Sequence, residues 1–365
     1  MKYYDYYTKA KIDLSAIKQN VVEIKKLLKP GIKFMAVVKA DAYGHGAVEV
    51  GRALEVDYLS VATLNEALEL KEAGIKSPVL ILSEGRAAGA EEVVHSDFIQ
   101  TVYTFELAQA LSKQAQKQKK KARIHIKVDT GMGRIGVPVD GAVNLFKKIS
   151  SLDNLIIEGI FTHFAKAEDT RDEFTHQQFQ KFQRVLSAID FRGLKHAANS
   201  AATLFYPETH LDMIRVGLAM YGLYPPKAER HPINLKPALE FLSRVVYLKK
   251  VPAGTPLSYG CTYVTQKETQ IATIPVGYAD GLSRTLSNRG AVLIKGKRFP
   301  IVGRISMDLT LVDVGEAEIE VGDEVTLIGF QGKEVISADE VADLLGTISY
   351  EVVCGIGKRV PRVYP

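Results

Sequence analysis

Up to about residue 230 the chain alternates short apolar, β-branched runs with longer stretches in which apolar residues recur every three or four positions. This alternation predicts repeated βα units around a parallel sheet. Eight runs read as strands: 32–38, 57–62, 78–82, 98–103, 122–128, 155–162, 194–198 and 211–216. Helices are expected over 105–116 and 173–189, and over 15–28, where Ile17, Val21, Ile24 and Leu28 fall on one face. Eight such units favour a closed (β/α)8 TIM-type barrel. An open doubly wound sheet stays possible, because the pattern does not reveal whether the first and last strands pair.

From about residue 237 the rhythm changes. AVLIKGKRFPIVGRISMDLTLVDV and VGDEVTLIGF are alternating or β-branched runs broken by glycine-containing turns, with one helical stretch at 338–345. Between the two regimes lies PPKAERHPINLKP, residues 225–237, whose four prolines in thirteen residues disfavour helix and interior strand alike. The expected organisation is a barrel over 11–236 followed by a mostly β C-terminal domain over 237–365, with residues 1–10 packing against the second.

Composition narrows the class. A chain of 365 residues with 46% hydrophobic and 24% charged residues has the ordinary globular balance, which excludes an intrinsically disordered protein. No apolar run is long enough for a membrane span, and the start, MKYYDYYTKAKIDLS, lacks the apolar stretch of a secretory signal. A cytoplasmic protein is expected. Only Cys261 and Cys354 are present, without zinc-site spacing, so neither a disulfide scaffold nor a metal centre is expected. The net charge of +5 is small, and its one dense basic run, Lys117 with Lys119 to Lys121, reads as a solvated helix end. Nothing points to nucleic acid.

The chemistry concentrates where the predicted strands end. Lys39 follows a fully apolar strand in AVVKADAYGHG, and in a βα barrel the carboxyl ends of the strands carry the active site. A partly desolvated lysine there has a usable neutral amine, the requirement for covalent attachment to an aldehyde. Taken alone, Lys39 reads more readily as a strand-end lysine facing water. Other strands end in reactive groups too: Lys127 before the loop DTGMGRIG, His163 after the sixth strand, Asn199 and Ser200 after the seventh, and Arg215-Val-Gly217 at the eighth. Loops after the seventh and eighth strands are also where barrels commonly hold a phosphate through backbone N–H groups.

These segments, AVVKADAYGHG, KVDTGMGRIG, GIFTHFAKAE, ANSAATL and IRVGLAMYGLYP, are followed by LSYGCTYV, VGYADGLSR, GRISMDLTLVDV and SYEVVCGIGKRVPR. Together, over nearly the whole chain and in order, they resemble the alanine racemases, pyridoxal-phosphate enzymes of the barrel-plus-β-domain type. The resemblance implies that Lys39 carries pyridoxal 5'-phosphate covalently and that Arg215 meets the pyridine nitrogen. A guanidinium only donates, so that nitrogen would stay unprotonated and be a weak electron sink. His163 would help fix Arg215. Phosphate contacts would come from Tyr43, Ser200, Gly217, Leu218 and Tyr350.

Inverting a stereocentre requires an acid or base on each face of the planar carbon. The resemblance assigns these roles to Lys39 and Tyr259. A phenol titrates at about 10, so a tyrosine acting as a base needs a nearby cation, and Arg134 is the candidate. Arg134 and Met307 would meet the substrate, Tyr278 would narrow the approach to it, and Lys127 matches a position that is N-carboxylated in some members. Tyr259 and Met307 would reach the site of the opposite subunit, which implies a homodimer with a shared active site. The implied role is D-alanine supply for peptidoglycan. Two positions depart from the family pattern: Asp41 stands where many members have asparagine, adding negative charge near Lys39, and Ser306 where many have cysteine. A racemase of wider range that accepts serine, a decarboxylase on the same architecture, and a non-catalytic pyridoxal-phosphate carrier are the competing readings. The β domain bearing Tyr259 is what a pure carrier would not need.

Overall fold

The computed structural model describes residues 7–83, 85–225 and 232–365. The expected linker at 225–237 falls partly outside the described residues. The chain divides into two compact units, Ser15–Pro237 and residues 7–14 with Ala238–Pro365.

In the first unit the eight expected strands all form, each a residue or two from its predicted limits: β1 (Lys33–Val37), β2 (Tyr58–Val61), β3 (Val79–Ile81), β4 (Ile99–Val102), β5 (Ala122–Asp129), β6 (Leu155–Phe161), β7 (Leu194–His196) and β8 (Met213–Val216). They are parallel, each from β1 to β6 pairs with the next, and β8 pairs back on β1 with Ile214 beside Phe34 and Arg215 beside Met35. Between β7 and β8 the Asp212 N–H donates to the Lys195 carbonyl and the Arg215 N–H to the Ala198 carbonyl, both at 3.0 Å. The sheet is therefore a nearly closed barrel, and the open-sheet alternative falls away. Burial on both faces explains the continuous apolar strand runs. Met35, Tyr58, Leu80, Ile99 and Met213, one from each of five strands, form one buried cluster.

The helices follow from local signals. Phe105–Lys117 begins at Thr104, whose hydroxyl accepts from the Leu107 N–H, and it buries Leu107, Ala108, Leu111, Ser112 and Ala115 along one stripe. Leu14–Lys25 buries Ala16, Ile17, Asn20, Val21 and Ile24 but stops before Leu28, which lies beyond the helix. Asn20, buried on that apolar stripe, is fully bonded. Its amide donates to the carbonyls of Met220 (3.1 Å) and Lys236 (2.8 Å), and its oxygen accepts from the Lys236 N–H.

The second unit is a mostly β domain built on one ten-stranded sheet. The path runs from Tyr247–Val251 through Thr269–Ile274, Thr310–Gly315, Lys297–Val302, Ala291–Ile294, Glu324–Gln331 and Leu239–Arg244 to Lys9–Ile12 and Arg362–Val363. Lys9–Ile12 pairs antiparallel with Leu239–Arg244, Lys9 opposite Leu242, and the Lys11 ammonium reaches Glu240 at 2.8 Å. The helix Ala338–Leu345 forms at the expected residues, opened by Ser337 accepting from the Glu340 N–H. Among the described residues no helix is long and apolar enough to cross a membrane.

Candidate active site

At the carboxyl end of β1 the backbone does something the sequence does not announce. Ala40, Asp41, Ala42 and Tyr43 all take left-handed conformations, with φ of 52°, 52°, 53° and 56°. For residues with a Cβ this costs about 1–2 kcal/mol each, so the surroundings must hold the turn. Glu66, which caps its own helix through Thr63, also accepts from the Ala40 N–H at 2.7 Å. The Asp41 carboxylate accepts from the Ala47 N–H at 2.7 Å, and its carbonyl takes the Gly46 N–H at 2.9 Å. Asp41, expected to act on Lys39 by its charge, thus uses its carboxylate to start the helix Ala47–Ala53. The turn leaves Lys39 at its opening, partly exposed, and folds Tyr43 inward to 8% exposure with its ring 5.1 Å from Tyr221.

Gly217, just after β8, sits against Tyr43: a Cβ there would lie 2.5 Å from the phenol oxygen, so only glycine fits. The Gly217 N–H donates to the Ser200 hydroxyl at 3.0 Å and the Ala219 N–H to the same oxygen at 3.4 Å. Asn199 caps the short helix Ser200–Phe205 through the Ala202 N–H, which fixes Ser200 beside those amides. Leu218 follows Gly217 in the turn 218–221 and is buried. Backbone donors and a hydroxyl thus converge on one small polar cradle.

Around it gather cations. The guanidinium of Arg215, 3% exposed, donates to the carbonyls of Thr162 (2.7 Å) and Ala197 (2.9 Å), to His196 Nδ1 (2.9 Å) and to His163 Nδ1 (3.4 Å). Burial pulls it down to about 9, which leaves it protonated at neutral pH. Lys127, 4% exposed, lies with its ammonium 5.6 Å above the Phe161 ring, and Arg215 lies 5.0 Å from the same ring. Burial, then the charges of Arg134 and Arg215, bring Lys127 down to about 7, against a smaller opposing effect of Asp129. Burial and the cations Arg215, Lys127, Arg134 and Lys39 hold His163 well below its usual range, so it is neutral. Asp129 is engaged in its own loop, accepting from the N–H groups of Gly131 (2.9 Å) and Gly133 (3.1 Å), and the loop carries Arg134 out to an exposed position.

The structure therefore brings Lys39, Tyr43, Lys127, His163, Ser200, Arg215, Gly217 and Leu218 to one end of the barrel, with Arg134 on the adjoining loop. Such a rim of positive charge, beside backbone N–H groups that converge on one hydroxyl, calls for an anionic occupant. The residues that complete the list lie in the second unit. Tyr259 is 69% exposed, in a turn where Ser258 adopts φ 61°, ψ −174°, a conformation otherwise left to glycine. The Ser258 hydroxyl donates to the Arg304 carbonyl at 2.5 Å and holds that turn. Tyr278 and Met307, both exposed, are joined through the Tyr278 N–H to the Ser306 carbonyl and the Ala279 N–H to the Met307 carbonyl, each at 3.1 Å. Ser306 closes its own turn, donating to the Leu309 carbonyl at 2.7 Å and accepting from the Leu309 N–H. Tyr350, half-buried, lies on the short helix Ser349–Cys354. Among the described residues no cluster of His, Cys, Asp or Glu is arranged to hold a metal ion.

The residue reading passed over His196, His125 and Glu158, which lie behind Arg215. The signal was present in β5: His125 and Lys127 are two apart in a strand and face the same side.

The sequence matches the family profile "Alanine racemase, N-terminal domain" over residues 12–225 and "Alanine racemase, C-terminal domain" over residues 238–364. A protein named alanine racemase from Methanococcus maripaludis is 48% identical over 97% of this chain and 98% of its own length. The solved alanine racemase of Clostridium difficile superposes with a TM-score of 0.95 at 39% identity, covering 100% of this chain and 97% of that one. Another, from Bartonella henselae, described with covalently bound pyridoxal phosphate, gives a TM-score of 0.89 at 31% identity over 98% of this chain and 99% of that one.

Proposed function

The chain belongs to the alanine racemase family, and from that membership we propose how its own residues interconvert L- and D-alanine. The observation that carries the reading is the convergence of Lys39, Arg215 and the Ser200–Gly217 cradle at the strand ends. These residues fit pyridoxal 5'-phosphate. Lys39 offers an amine for its aldehyde, Arg215 a donor for its ring nitrogen, and Ser200, Gly217, Leu218, Tyr43 and Tyr350 offer donors for its phosphate. When bound, the cofactor withdraws electrons from the substrate's Cα and makes the proton there removable.

The chain's own part is to hold and move that proton. Lys39 Nζ takes or returns it on one face and Tyr259 Oη on the other, so a proton removed by one group is replaced by its opposite. Arg134 steadies the phenolate of Tyr259 and, with Met307, meets the substrate's carboxylate side. Tyr278 narrows the approach to the site. His163 stays neutral and accepts from Arg215, which keeps the guanidinium in place. Lys127 Nζ, as a neutral amine, forms an N–C bond with carbon dioxide and releases one proton. The resulting carbamate neutralises part of the cationic rim and positions Arg134.

Tyr259, Tyr278 and Met307 are large side chains left exposed, which supports a homodimer in which they complete the partner's site. A cytoplasmic location and the use of D-alanine in peptidoglycan accompany this reading through family membership.

The test is direct. Purified protein given L-alanine in D2O should produce D-alanine deuterated at Cα. Tyr259→Phe should lower that rate by at least about 100-fold while leaving the visible absorbance of the bound cofactor unchanged. Cofactor-loaded protein that makes no D-alanine would contradict the reading, and loss of absorbance in Tyr259→Phe would make the residue structural.

A further inference from the structure

Arg215 is a buried cation, and among the described residues no carboxylate pairs with it. A guanidinium has donors only, so the bonds leading away from it run one way. His196 must accept at Nδ1 and therefore carries its proton on Nε2. That proton goes to His125 Nδ1, 2.9 Å away. His125 in turn carries its proton on Nε2, an atom with no hydrogen-bond partner, 4.0 Å from the Glu158 carboxylate.

Burial keeps both rings neutral. It lowers His125 to about 4 against the opposing pull of Glu158, and it holds His196 well below its usual range with help from Arg215. The rings are locked in place. His196 stacks on Phe161 at 4.7 Å, and His125 occupies the space left by Gly159 on the neighbouring strand, where a Cβ would lie 2.7 Å from the ring. Beyond the last bonded ring, Glu158 is ionised. Burial would raise its carboxyl, but Arg123 (2.6 Å) and the Tyr58 hydroxyl (2.8 Å) outweigh it and hold it below the usual value. Glu158 lies four positions before Thr162, midway along β6 and below the strand-end cluster.

We propose that Glu158 is a remote positioning residue for Arg215, its negative charge acting through His125 and His196 to fix both tautomers and the plane of the guanidinium. The inference rests on the role of Arg215 given above. Glu158 would otherwise be only a staple for Arg123 and Tyr58, and two variants separate these roles. Glu158→Gln keeps shape and an acceptor but removes the charge, whereas Arg123→Lys loosens the two-bond staple and keeps the cation that holds Glu158 ionised.

The experiment is 15N NMR of histidine-labelled holoenzyme together with steady-state kinetics. In the unsubstituted enzyme both rings should be neutral, protonated at Nε2 and bare at Nδ1. Glu158→Gln should shift the resonances of His125 and His196 and lower kcat about 5- to 50-fold with KM within about twofold. Arg123→Lys should leave His196 and kcat near their original values. Nδ1 protonation of His196 in the unsubstituted enzyme, or equal effects of the two variants, would overturn the proposal. Unshifted rings in Glu158→Gln would refute the relay, whereas shifted rings with unchanged kcat would count against the role given to Arg215. Should Glu158→Gln not fold, Glu158→Asp replaces it: His125 Nε2 should shift while His196 keeps its tautomer, and no shift at His125 would overturn the proposal.

Discussion

Lys127 is held at about 7 by burial, Arg134 and Arg215, where an unperturbed lysine titrates at 10.5. At pH 8 the ordinary side chain is neutral to about 0.3%, and one at 7 to about 90%, so the nucleophilic amine is enriched about 300-fold. Only the neutral amine captures carbon dioxide. In 13C-bicarbonate at pH 8, 13C NMR should therefore show one carbamate signal that is absent from Lys127→Met and fades as the pH falls below 7. Activity should fall in buffer stripped of carbon dioxide and return when bicarbonate is restored. The same displacement acts on stability. Without carbon dioxide the folded chain binds fewer protons than the unfolded chain between about pH 7 and 10.5, so stability rises with pH across that window. The gap corresponds to a cost of at most about 5 kcal/mol at pH below 7. Lys127→Met, which removes the charge at similar volume, should accordingly raise Tm at pH 7 in stripped buffer while lowering activity. No carbamate signal at pH 8 under saturating bicarbonate, or an equal signal in Lys127→Met, would refute the reasoning.

Two further outcomes follow from backbone geometry. Gly217→Ala would set a methyl 2.5 Å from the Tyr43 phenol oxygen, so it should weaken retention of the cofactor on gel filtration; unchanged retention would count against the cradle. Ala40, exposed and at φ 52°, should gain up to about 1 kcal/mol in denaturant unfolding when replaced by glycine and lose stability when replaced by valine.

The eight strands and the change of rhythm near 237 were legible because a parallel strand buried on both faces writes its length directly as an apolar run. Barrel closure was not, since it depends on Ile214 and Arg215 of β8 pairing with Phe34 and Met35 of β1, far away in sequence. Lys39, Lys127, His163 and Arg215 could be picked out because each interrupts or ends such a run. The left-handed turn over Ala40–Tyr43 could not. Nothing in Ala-Asp-Ala-Tyr favours positive φ except the aspartate, and the conformation is imposed from outside by Glu66 and the Ala47 N–H. For the same reason the bond from the Ala47 N–H to the Asp41 carboxylate could not be read from the sequence. His196 and Glu158 escaped notice because their significance lies in a chain of contacts between strands, which no local pattern records.

The central claim is that Lys39 is the residue to which the cofactor attaches. Reducing the purified holoenzyme with borohydride and mapping its peptides by mass should place a phosphopyridoxyl group on Lys39 and on no other lysine. A stable adduct on a different lysine, or none in protein that still converts L-alanine to D-alanine, would contradict the account.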